Sequence, residues 1–89
     1  MPTFLIESYL PERSATAAAT AAAALADGRG ARYRWALLLP DEEIAFHVVE
    51  SPSLDVLREA TARARLRCQR ISEAVLISAE DITELGAAP

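Results

Sequence analysis

Two serine-headed helix starts divide this chain, and each is flanked by short segments that read as strands. Residues 3–9, Thr-Phe-Leu-Ile-Glu-Ser-Tyr, are β-branched and aromatic and stop at Leu10-Pro11, where proline cannot donate to a ladder. Ser14 can then cap a helix from 15 to about 26, because its hydroxyl can accept an otherwise orphaned amide and alanine is the best helix former. The run Asp27-Gly28-Arg29-Gly30 ends that helix. Residues 31–39 form a second strand, and after Pro40-Asp41-Glu42 residues 43–50 form a third, a connection short enough for a hairpin. Ser51 caps a second helix with Pro52 at its first position, where the missing N–H costs nothing. Leu54, Leu57, Ala60 or Thr61, and Ala64 recur at three and four residues, which predicts a helix to about Arg67 with one buried stripe. Residues 71–78 supply a fourth strand, and 79–89 read as an acidic turn with a frayed end.

Strand, helix, strand, strand, helix, strand is the split β-α-β order of ferredoxin-like α+β domains: a four-stranded antiparallel sheet with both helices on one face. With 89 residues, 52% of them hydrophobic, the chain fits a single domain over 1–89, its core at about 3–78 and its tail at 79–89. A chain of this size buries only about 60 to 65% of its unfolded surface, so it gains from a partner subunit. The formal net charge of -4 gives no footprint for a phosphate backbone or an anionic membrane, so neither nucleic acid nor membrane is an expected partner. The first nine residues lack the basic region of a signal peptide, and no run approaches the roughly 18 apolar residues of a membrane span, so the expected location is cytoplasmic.

The hairpin carries the most functional information. If Leu38 faces Ala45, one face of the sheet takes Tyr33, Trp35, Leu37, Ile44, Phe46 and Val48, to which Phe4 and Ile6 are assigned. The other takes Arg34, Ala36, Leu38, Ala45, His47 and Val49 with Leu5, Glu7 and Tyr9. Both faces are substantially apolar, although only one can lie under helices; the aromatic set is expected beneath them. The remaining face then predicts a homodimer, two sheets packed face to face around a barrel-like space, the dimeric α+β barrel arrangement. A one-residue slip would exchange the two sets.

On this reading Glu7, Tyr9, Arg34 and His47 converge as candidate ligand-binding residues. The imidazole could exchange a proton near neutral pH, the carboxylate could orient it, and the guanidinium could hold an anion. Equally, Glu7 and Arg34 could be an interface ion pair and His47 a hydrogen-bonded core residue. One histidine and one cysteine fall short of a metal ligand set, so no metal ligand is assigned and no cofactor is expected. Asp41-Glu42-Glu43 reads as a solvated hairpin tip. Cys68 reads as the end of the second helix, where Arg67 and Arg70 would favour its thiolate. No phosphate-binding glycine loop and no Gly-x-Ser-x-Gly turn is present.

Several stretches look familiar: Phe4-Leu5-Ile6-Glu7-Ser8-Tyr9-Leu10-Pro11, Arg32-Tyr33, Phe46-His47-Val48-Val49-Glu50-Ser51-Pro52-Ser53 and Arg70-Ile71-Ser72-Glu73-Ala74-Val75. Over about residues 3–78 the chain resembles a family of small bacterial domains called nickel-binding-protein-like, after a member that binds nickel. The resemblance implies a ferredoxin-like dimer, and nickel as a cofactor by resemblance only. Metal-competent relatives are expected to place histidines near the end of the first strand and on the second helix. Here those stretches read Glu7-Ser8-Tyr9 and Arg58-Glu59-Ala60-Thr61, so no metal ligand carries over. The chain is therefore read as a homodimeric binding domain without the family's histidine site. The alternative is a small dimeric α+β barrel enzyme, monooxygenase- or isomerase-like, acting on a hydrophobic or aromatic molecule; that similarity rests on architecture alone.

Overall fold

Strand β1 (Thr3–Tyr9) is followed by helix α1 (Ala15–Leu25), strand β2 (Arg32–Leu39), a 3-10 turn (Pro40–Glu42), strand β3 (Ile44–Glu50), helix α2 (Leu54–Arg63), strand β4 (Cys68–Ala74) and helix α3 (Ala79–Glu84). The computed structural model describes residues 1–26 and 30–86, so the expected stop at Asp27-Gly28-Arg29 lies outside the described residues. The four strands form one antiparallel sheet in the order β2-β3-β1-β4, the ferredoxin-like arrangement.

Both helices pack on the same side. Phe4, Ile6 and Val49 from the sheet are buried against Leu25 of α1 and Leu57 and Ala60 of α2. Ala18 of α1 packs with Leu10 and Ala45 in a second small cluster, where alanine on both elements permits close approach. Ser14 caps α1 as expected, accepting from the Ala17 amide at 3.0 Å.

The second helix departs from expectation at both ends. Its cap is Ser53, which accepts from the Val56 amide at 3.2 Å, while the fully buried Ser51 donates its hydroxyl to the Ser53 carbonyl at 2.9 Å. Pro52 therefore lies ahead of the helix instead of inside it. At the other end α2 stops at Arg63, not near Arg67. The Leu66 amide returns to the Thr61 carbonyl at 3.0 Å and the Arg65 amide to Ala62 at 3.1 Å, a Schellman closure with Arg65 at φ 55. An arginine fills the left-handed position that glycine usually takes, which removes the usual stop signal from the sequence. The early stop releases Cys68 to begin β4, so Cys68 is a strand residue, and β4 ends at Ala74 instead of running to 78. The tail also contains a helix: Ser78 and Asp81 form a reciprocal capping box that starts α3.

The hairpin register is as expected, with Leu38 opposite Ala45. The faces are not. On β1 the partners are Phe4 with Val49, Ile6 with His47 and Ser8 with Ala45, so Phe4 and Ile6 belong with His47, and Leu5, Glu7 and Tyr9 belong with Val48, Phe46 and Ile44. A bulge between Tyr33 and Trp35 adds Arg34 to β2 and turns Tyr33 to the side of Val49 while Trp35 meets Val48. The helices cover the His47 set. Trp35 and Phe46, expected beneath them, lie on the open face, and Trp35 is 48% exposed.

Candidate functional site

His47 is fully buried at the centre of β3, between Ile6 of β1 and Ala36 of β2 in register. The Ser8 hydroxyl donates to the Ala45 carbonyl at 3.3 Å, which leaves its oxygen to accept from His47 Nε2–H at 3.2 Å. Nδ1 is then the acceptor for the Tyr33 hydroxyl. The two rings meet edge to face with centroids 5.7 Å apart. Burial holds the His47 imidazolium pKa below the usual histidine range and pushes the Tyr33 phenol up to about 12. The Tyr33–His47–Ser8 chain therefore runs through neutral groups. It contains a hydroxyl beside an imidazole, as a nucleophile would require, but Ser8 and His47 are both fully buried and present no atom to a substrate. What the arrangement does is satisfy polar groups beneath the helices and fix the histidine tautomer.

The other three candidate residues lie elsewhere. Glu7 is on the open face opposite Arg70, with no ion pair between them. The two line a recess of about 320 Å³ with Leu5, Ser72, Glu73 and Ala74, and the Arg70 Nε donates to the Ser72 hydroxyl at 3.3 Å. Arg34 lies in the β2 bulge and faces Glu50 at 3.5 Å, so its acidic neighbour is Glu50, not Glu7. Tyr9 sits at the end of β1, opposite Ile44. Its hydroxyl donates to Glu43 Oε2 at 2.9 Å, and the Arg67 guanidinium stands 5.9 Å from its ring centroid. Arg13 meets the same carboxylate at 2.5 Å. The hydrogen bond from Arg13 holds the Glu43 carboxyl low, and the bond to Glu43 pushes the Tyr9 phenol up. The expected four-residue constellation is thus divided: His47 under the helices, Glu7 in an open-face recess, Arg34 in the bulge and Tyr9 in an exposed cluster at the strand end.

Sequence reasoning missed Arg70 as the residue facing Glu7, because that pairing depends on β4 starting at Cys68. It also missed the participation of Arg13 and Glu43, which both adopt left-handed backbone at φ 55 and so carry no glycine or asparagine signal.

Nickel chemistry finds no fit in this arrangement. His47 has both ring nitrogens committed to hydrogen bonds, and no group of three or more histidine, cysteine or acidic side chains converges among the described residues. Burial pushes the Cys68 thiol up, opposite to the thiolate expected from its arginine neighbours.

The fold defines a ferredoxin-like α+β domain with one sheet face covered by helices and the other open. No protein-family model matches the chain, and no curated protein matches it. Among solved structures it is similar to the crystal structure of SCO4226 from Streptomyces coelicolor A3(2), with a TM-score of 0.73 at 16% identity over 85% of this chain and 99% of that one. At that identity the likeness shows the fold alone. Among the described residues no helix is long and apolar enough to cross a membrane.

Proposed function

We propose that the protein is a homodimeric binding domain, pairing through its open sheet face and holding a small polar organic molecule at the Glu7–Arg70 recess. One observation carries the reading: the open face presents Trp35 and Leu37 at 48% and 51% exposure, in register with Val48 and Phe46. A continuous apolar surface of this kind on a small domain marks an interface. The resemblance to the nickel-binding-protein-like family supports a binding role and a paired sheet, while the committed nitrogens of His47 argue against the metal. Glu7, Arg70 and Glu73 give the recess its chemistry. Two like sheets closing over this face would bury a carboxylate and a guanidinium that are not paired with each other, and buried charges require partners. A ligand carrying both a cationic and an anionic group, such as an amino-acid-like zwitterion, supplies them.

Native mass spectrometry of untagged protein, prepared without chelators or added metal, tests this reading. The expected species is a dimer carrying an organic excess mass that is lost in Glu7→Ala and Arg70→Ala. A dimer that carries nickel, or one whose bound mass is unchanged by both substitutions, would overturn it.

A further inference from the structure

The last described stretch of the chain buries none of its residues against the other described ones. Every residue from 75 to 86 is exposed, and no residue of α3 is buried. Of the nine large hydrophobic side chains exposed among the described residues, five belong to this arm: Val75, Leu76, Ile77, Ile82 and Leu85. A free tail would hold such residues in water with their burial unrealised, and tails that stay free are usually polar. The arm is nevertheless built, since its helix starts with a capping box. It is also acidic, with Glu80, Asp81 and Glu84 and no basic residue from 75 to 86.

The chain carries a surface of matching character. Between α1 and the turn after α2 lies a groove of about 310 Å³, floored by Ala17, Ala21, Ala24 and Leu66 and flanked by Arg65 and Arg67. Among the described residues that line it, Glu12 is the only acid. The small floor leaves room for aliphatic side chains, and the two guanidiniums face whatever acids accompany them. Arg65 is held at φ 55 by the Schellman turn, which places a cation on the groove wall at a position where glycine would be less strained.

Arm and groove sit at opposite ends of the sheet. The arm leaves β4 at Ala74, opposite Thr3, whereas the groove lies by the other end of that strand, where Cys68 pairs with Ser8. A seven-residue strand separates them by about 20 Å. We infer that the arm of one copy seats in the groove of a second copy, Ile82 and Leu85 on the alanine floor and the arm's acids against Arg65 and Arg67. This contact uses none of the open-face residues, so it stands on its own beside the sheet pairing.

The test is a disulfide trap in the full-length chain with Cys68→Ser as background. Chains carrying Leu85→Cys are mixed with chains carrying Ala21→Cys and oxidised. The expected product is a covalent dimer of the two unlike chains. No cross-link in the mixture, or an intrachain disulfide at monomer mass when one chain carries both substitutions, would overturn the inference. A charge exchange supplies the second readout. Arg65→Glu with Arg67→Glu should cut the yield of the cross-link about tenfold at low salt, and adding Glu80→Arg with Glu84→Arg on the arm chain should restore it. Failure to restore in folded chains counts against the contact. The trap reports the arm, whereas Leu37→Glu reports the sheet face, so either can fail alone.

Discussion

A fully buried histidine survives in a sheet only when both ring nitrogens are satisfied, and His47 meets that condition through Tyr33 and Ser8. His47→Ala should therefore destabilise the fold by about 2–4 kcal/mol in urea unfolding, since it opens a cavity and leaves the Tyr33 hydroxyl without its acceptor. Its pH behaviour follows from the direction of the shift. The folded imidazole has a lower pKa than the unfolded one, so the unfolded chain binds more protons as pH falls below about 6.5. Stability is full above that pH and declines below it. The Tyr33 phenol is shifted the other way, to about 12, so its contribution is present below about 10 and is lost as pH rises from there toward 12. Unfolding midpoints across pH should fall on both sides, and Tyr33→Phe should remove its part of the alkaline decline. At Arg65 the left-handed backbone predicts the opposite kind of effect: Arg65→Gly should stabilise by up to about 1 kcal/mol, measured in the same way.

Among the elements, the serine caps make a direct comparison. Ser53→Ala should cost about 1 kcal/mol by thermal or urea unfolding, because it removes the acceptor for the Val56 amide. A stabilised or unchanged Ser53→Ala would place the cap elsewhere. The element order, the hairpin register and the first helix cap were legible in the sequence because each depends on local signals: β-branched runs, a proline-bearing turn, a serine before alanines. The face of β1 was not legible. It meets β3 across about 35 intervening residues with no turn to set the parity, so whether Glu7 or Ile6 lies beside His47 could not be read from alternation. The Arg34 bulge and the arginine-filled Schellman turn escaped for a related reason, since neither carries the glycine that would announce it. Of the candidate site, residue types were legible, but their convergence was not, because convergence is a property of face parity. Glu7 still lies in an open recess, but its charged neighbour is Arg70.

At the scale of the whole molecule, the shortest dimension, 19 Å, corresponds to two layers, one sheet and one rank of helices. A two-layer domain leaves one face of its sheet open, and here that face carries Trp35, Leu37, Phe46 and Leu5 where an exposed antiparallel sheet would alternate to polar residues. The acidic arm adds a second unpartnered surface at one end. Both features belong to a chain of a size that buries only about 60 to 65% of its unfolded surface alone, and the proposed pairing with a second copy would cover both. The most direct test is the solution mass of the untagged protein beside its Leu37→Glu variant, by sedimentation at micromolar concentration, with circular dichroism to show that the variant is folded. Both chains carry Arg65→Glu and Arg67→Glu, which weaken the arm contact, and the account predicts a dimer before Leu37→Glu is added and a folded monomer after it. In that background, a monomer before Leu37→Glu is added, or a dimer that Leu37→Glu leaves intact, would contradict pairing through the open face.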